Sequence, residues 1–148
     1  MPLPPPSGSL RPPTGLFAGA QISASALSAE RLRMTVASEN LANANSTVRL
    51  EDGLPYRRQR VVFETVLDDQ GRRTGEVRAQ VVDDPRYLTR NDPGHPDADA
   101  QGNVVSPEIS PILELTDLLV ASKTYEANAN ALRGFLRMHE NALRIGQA

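Results

Sequence analysis

Oxygen donors at a calcium-loop spacing and two histidines are the residues of this chain whose types could support chemistry. Asp97, Asp99, Gln101 and Gly102, with Glu108 six residues further on, follow the spacing of an EF-hand loop. Gln101 departs from the strict pattern at the fifth loop position. Pro93 and Pro96 forbid an entering helix, and Pro107 obstructs an exiting one, because proline lacks the backbone donor and clashes with the preceding turn. The segment therefore reads as a structural loop, with a calcium-responsive binding module as the alternative from a different functional class. Hydrolysis would need a nucleophile held beside a base. His95 lies in a proline-rich turn and His139 in a helical stripe, and neither has a suitable partner nearby in sequence. Asn45-Ser46-Thr47 fits a glycosylation acceptor, but such triplets arise by chance and no secretory apolar run accompanies this one. The absence of cysteine removes disulfides, zinc knuckles and thiol catalysis together. No catalytic, cofactor-binding or metal site is expected, and the chain does not read as an enzyme.

The elements around these residues are more informative than the residues themselves. At 148 residues the chain has the size of one domain. Leu, Ile, Val and Phe number 35 and Trp is absent, so material for a self-sufficient core is thin. A net charge of -2 gives no basic excess to neutralise phosphates, which argues against nucleic acid as a partner. No apolar run has the length of a membrane span or of a signal-peptide core, so direct membrane insertion is not expected. Residues 1–14 hold six prolines and read as a disordered tail.

Residues 15–47 are proline-free, with strong helix formers in the middle and an Asn-rich end at Asn40, Asn43 and Asn45 that favours fraying or side-chain capping. They predict a first long helix. The β-branched clusters around Val61 and Val81, on either side of Asp68-Asp69-Gln70-Gly71, predict a hairpin. From Asp83 to Pro111 five prolines and two glycines predict an extended, turn-rich connector. Residues 109–148 predict a second long helix, with Pro111 in its first turn and Glu114 at its positive end. The expected fold is mainly α with a β insertion, elongated, its two terminal helices packing as a coiled-coil-like pair around a central segment at 48–108.

Both helices carry more apolar surface than one partner can cover. In the second, Leu115, Leu118, Ser122, Tyr125, Ala129, Leu132, Leu136, His139 and Leu143 alternate steps of three and four. Ala121, Asn128, Phe135, Met138 and Ile145 belong to an adjacent line of the same period. In the first, Ala20, Leu27, Met34 and Leu41 repeat every seven residues, as do Ile22, Ala29, Val36 and Asn43 two positions later. Two positions turn a helix by about 200°, so these lines lie on nearly opposite sides. Other subunits are expected to cover what the chain leaves open. The candidate subunit-interface residues are Ile22, Leu27, Met34, Val36, Leu41, Asn43, Leu115, Leu118, Ser122, Tyr125, Asn128, Leu132, Phe135, Leu136 and Leu143.

Three segments in order resemble one family. Residues 22–47, ISASALSAERLRMTVASENLANANST, resemble the N-terminal signature of flagellar rod and hook proteins. Residues 116–147 resemble that family's C-terminal helix through Ser122, Tyr125, Glu126, Ala127 and Asn128. The stretch Asp92-Pro93-Gly94-His95-Pro96-Asp97-Ala98-Asp99 resembles the proximal-rod members, and another rod or hook axial subunit would lack its first five residues. The resemblance implies a structural subunit of the flagellar basal body whose partners are copies of itself and other rod proteins. It also implies delivery by the flagellar export apparatus without a cleaved signal peptide.

Overall fold

The computed structural model describes residues 18–146. The tail expected at 1–14 lies outside them. In chain order the elements are α1 (Ala18–Ala42), β1 (Gln59–Leu67), β2 (Arg73–Asp83), β3 (Tyr87–Asn91), β4 (Asn103–Pro107) and α2 (Pro111–Ile145). The fold is α+β, with one long helix before and one after the four strands in chain order. No helix among the described residues is long and apolar enough to cross a membrane.

α1 stops at Ala42, short of the expected end. Asn43 donates its side-chain amide to the Glu39 carbonyl at 2.8 Å, satisfying one carbonyl that the helix end leaves open. α2 begins at Pro111, whose missing N–H is no loss in a first turn, and Glu114 N–H already reaches the Ser110 carbonyl at 3.1 Å.

The chain divides into two compact units. The first draws on Met1–Glu30, Phe63–Ala79 and Thr124–Ala148. Here β1 leads to β2 through a turn in which Gly71 adopts a φ of 72°. Asp68 holds that turn by accepting the Gln70 and Arg72 backbone N–H groups, each at 2.9 Å. β2 lies against α1: Ser25 Oγ accepts the Val77 N–H at 3.2 Å, and a Cβ on Gly75 would meet the Ile22 side chain at 2.9 Å. The same unit brings Phe135 of α2 onto Gly19 of α1, where a Cβ would sit 2.5 Å from the ring. Gly19 is the residue that allows that approach.

The second unit draws on Arg31–Val62 and Gln80–Lys123. Val36, Ala37, Ala44, Val104 and Ala121 are its buried apolar residues, joined by Pro55 and Pro107. β3 and β4 pair antiparallel, with Tyr87 opposite Pro107 and Asn91 opposite Asn103. This sheet corrects the expected connector. The prolines that argued against regular structure sit in the turn, as Pro93 and Pro96 do, or at a strand end, as Pro107 does, where a two-stranded sheet has no ladder bond to lose. Between them, Tyr87, Leu88, Thr89, Val104 and Val105 are ordinary strand formers. Gly102, at a φ of 78°, closes the turn under Pro93, and a Cβ there would meet the proline ring at 2.9 Å.

Candidate functional site

The buried polar groups of the second unit converge on one residue that sequence reasoning assigned to a fraying helix end. Asn40 is 1% exposed, and its amide makes four hydrogen bonds. Its Nδ2 donates to the Gln59 carbonyl at 2.7 Å and to Glu114 Oε2 at 3.0 Å. Its Oδ1 accepts the Tyr56 hydroxyl and the Gln59 N–H, both at 3.0 Å. Glu114, also buried, accepts Arg58 Nε at 2.8 Å and Nη2 at 2.6 Å on its other oxygen. Arg58 Nη1 then reaches Asp84 at 2.8 Å. Four segments are tied together: the end of α1, the chain entering β1, the chain leaving β2 and the first turn of α2.

The electrostatics of this knot are structural. Partial burial pulls the Arg58 guanidinium down, but its hydrogen bonds to Glu114 and Asp84 outweigh that and hold it above its ordinary value. Burial raises the Tyr56 phenol, with the negative charges of Glu39 and Glu114 adding to the effect, so it remains a donor to Asn40. No thiol, metal group or open nucleophile stands beside these side chains. The Glu114 carboxylate already accepts three hydrogen bonds from a guanidinium and an amide, which occupies most of its acceptor capacity. The arrangement fixes the relation of α1 to α2, and the bidentate pair of Arg33 with Asp117 adds a second cross-link on the same faces. Sequence reasoning valued Glu114 only for its place at a positive helix end. Asn40 continues the line of Ala29, Arg33 and Val36 at steps of four, three and four, and that spacing was the available signal.

The calcium-loop residues are spent on the loop itself. Asp99 Oδ1 accepts the N–H groups of Gln101 and Asn103 at 2.9 and 2.8 Å, and the bond from Asn103 chiefly holds its carboxyl below the usual range. Asp97 accepts the Thr47 hydroxyl at 2.6 Å, and its N–H donates to His95 Nδ1 at 3.1 Å. Among the described residues no three His, Asp or Glu side chains gather as a metal site.

The candidate interface residues divide by exposure. On α1, Val36 is buried within the chain, while Ile22, Leu27, Met34, Leu41 and Asn43 are half-buried. On α2, Leu118, Ser122, Tyr125, Asn128 and Leu132 are half-buried, while Leu115, Phe135, Leu136 and Leu143 are exposed. α2 buries only Glu114 and Ala121 in all its 35 residues. Beyond the candidates it exposes Ile112 at 77% and Ile145 at 79%, with Leu113, Leu119, Val120 and Met138 also open. Single exposed apolar residues are ordinary on a protein surface; a run of this length along one helix marks an interaction surface.

A pair of terminal helices joined by a buried polar knot, with large apolar side chains of the second helix exposed, fits a structural protein. Residues 21–49 match the family model of the flagella basal body rod protein. The flagellar basal-body rod protein FlgC of Bacillus subtilis (strain 168) is 35% identical over 147 residues, spanning 88% of this chain and 98% of the relative. The FlgC proteins of Yersinia enterocolitica and Salmonella typhimurium are 41% and 40% identical, each spanning 85% of this chain and 94% of the relative. The chain belongs to the FlgC family of flagellar basal-body rod proteins. It is a structural rod subunit and not an enzyme, and these relatives do not favour the calcium-module alternative.

Proposed function

We propose that the chain assembles in the proximal part of the rod, against copies of itself and other rod proteins, through the open faces of α1 and α2. The exposed apolar length of α2 is the observation that carries this reading. In water it costs roughly 25 cal/mol for each Å² left uncovered, and neighbouring subunits remove that cost. The candidate interface residues act there as packing surface, and the two helices form an elongated, coiled-coil-like pair. The proposed organisation is a tail at 1–14, rod segments at 15–47 and 109–148, each built on one long helix, and a central hairpin and loop at 48–108 that sets contacts along the rod axis. Close-packed interfaces of low compressibility would pass torque from subunit to subunit. Delivery by the flagellar export apparatus to the basal body completes the reading.

Leu136→Asp tests it. Leu136 is open in the free chain, so a carboxylate there stays hydrated, and it is desolvated only in the assembled rod, at a cost of several kcal/mol. Rods and motility should be lost while circular dichroism of the purified chain stays at wild type. Arg133→Glu, at an exposed position whose guanidinium bonds Asn130 at 2.6 Å, is the mild control. Normal swimming by the Leu136→Asp strain would exclude this face from the rod interface.

A further inference from the structure

Asp52, Asp68 and Asp99 each hold a turn by accepting the backbone N–H two residues on, from Leu54, Gln70 and Gln101 at 3.1, 2.9 and 2.9 Å. In the turn joining β3 to β4 the same role at position 95 falls to a ring nitrogen, because His95 Nδ1 accepts the Asp97 N–H at 3.1 Å. The two kinds of acceptor fail at different pH. A carboxylate ordinarily keeps its charge down to about pH 4, whereas an imidazole ordinarily takes up a proton near pH 6.5. Nδ1 accepts only while the ring is neutral with its proton on Nε2, and in the imidazolium both nitrogens are donors. Nδ1–H would then face the Asp97 N–H, donor against donor.

Among the described residues, the carboxylate oxygen within 4 Å of His95 Nδ1 is Asp97 Oδ2, at 3.9 Å. That same oxygen accepts the Thr47 hydroxyl at 2.6 Å, and Thr47 lies in the chain leaving α1. The bond fastens the turn to the α1 exit. The other charged groups around the turn are Asp92 and Asp99 within it, Arg90 of β3, paired with Asp92 at 3.2 Å, and Arg49 after α1, whose charge acts on Asp99. Asp99 Oδ1 is taken by the N–H groups of Gln101 and Asn103, which leaves Asp97 as the group in reach of a proton on Nδ1. We propose that His95 is a proton-operated latch: neutral, it holds the Asp97 N–H and leaves the Asp97 carboxylate to Thr47; protonated, it draws that carboxylate to itself and frees Thr47. The latch belongs to the single chain and needs no neighbouring subunit. A bistable contact biased by one histidine is enough for such a switch.

Thr47→Val keeps the side-chain shape and removes the hydroxyl, so its cost reports whether Thr47 holds Asp97. Urea unfolding of the purified full chain at pH 8.0 and pH 5.0, both above the ordinary carboxylate range, measures that cost. At pH 8.0 Thr47→Val should raise the unfolding constant roughly fivefold, the usual net worth of one hydrogen bond, and at pH 5.0 less than twofold. His95→Asn supplies an oxygen that accepts the same N–H and does not titrate in this range. In that background Thr47→Val should cost roughly fivefold at both pH values. An equal cost at both pH values in the natural background overturns the latch, as does no cost at pH 8.0, or a pH dependence that survives His95→Asn. Nitrogen-15 NMR of the natural chain decides independently should a variant fail to fold. At pH 8.0 the His95 proton should sit on Nε2, and the Asp97 amide proton should move upfield between pH 8.0 and 5.0 as its acceptor is lost. A proton on Nδ1 at pH 8.0, or an Asp97 amide that does not move, overturns the proposal.

Discussion

The two long helices solve the burial problem in opposite ways. α1 places Ala29, Val36, Ala37 and Asn40 on a buried face and anchors its end through a fully bonded side-chain amide. α2 is ten residues longer, yet it buries one carboxylate and one alanine and leaves most of its larger apolar side chains exposed. The difference teaches that a stripe of apolar residues does not say which chain will cover it. In α1 small residues close the distance and polar groups complete the contact inside the chain. In α2 large residues wait on a surface that only association can dry.

Removing the carboxylate that joins the helices should give the largest effect on the free chain. Glu114→Ala leaves the Arg58 guanidinium and one Asn40 donor without their buried acceptor. Breaking one side of a buried pair costs about 3–5 kcal/mol, toward the low end here because Arg58 retains Asp84 and some solvent. Urea unfolding of the purified chain followed by circular dichroism measures it. A loss below 1 kcal/mol would remove the knot as the element that distinguishes α1.

The close approach of the helices in the first unit gives a smaller effect. Gly19→Ala sets a methyl 2.5 Å from the Phe135 ring, which must move aside, an overpacking cost of about 1–3 kcal/mol. In the Phe135→Ala background the same change should cost little, and a double-mutant cycle reads the coupling. Additive losses would separate the two residues.

How much of this was legible follows from where each signal resides. Helix positions, the β insertion and the excess of apolar lines are local patterns, and the sequence carried them through proline placement and steps of three and four. The rod-family signatures at both ends were equally readable. The β3 and β4 pair was not, because Pro93, Pro96 and Pro107 look like breakers until the first two are placed in the turn and the third at the strand end opposite Tyr87. Asn40 was missed for a related reason. An asparagine near a helix end is ordinarily a cap, as Asn43 is, and only the approach of Tyr56, Gln59 and Glu114 turns its neighbour three residues back into a buried hub. Long-range polar convergence leaves almost no trace in local sequence.

Gly134 sharpens the contrast from the α2 side. It lies inside the helix with nothing within 4 Å of where a Cβ would stand. Gly134→Ala should therefore stabilise the free chain by up to about 1 kcal/mol through helix propensity alone, visible as a higher urea midpoint. No gain would mean that this stretch of α2 is not helical in the free chain.

Acid should separate the two helices by the smallest margin. Asp84 lies at the outer end of the knot, where its hydrogen bond from Arg86, then that from Arg58, holds its carboxyl below the usual value against a partial desolvation. A carboxyl whose folded value is depressed binds protons less readily in the folded chain than in the unfolded one. Its contribution is therefore present above the unfolded value of about 3.9 and is lost as the pH falls through that value and then through the lower folded one. Asp84→Asn removes this titration and keeps the shape. The urea midpoint of the natural chain should exceed that of the variant at pH 6, and the two should converge below about pH 4. Arg133→Glu, at an exposed position of α2, should shift the midpoint by no more than about 1 kcal/mol equivalent at either pH. A constant gap between the natural chain and Asp84→Asn from pH 6 to pH 3 would show that Asp84 acts through shape and not charge, and would confine the electrostatic part of the knot to Glu114 and Arg58.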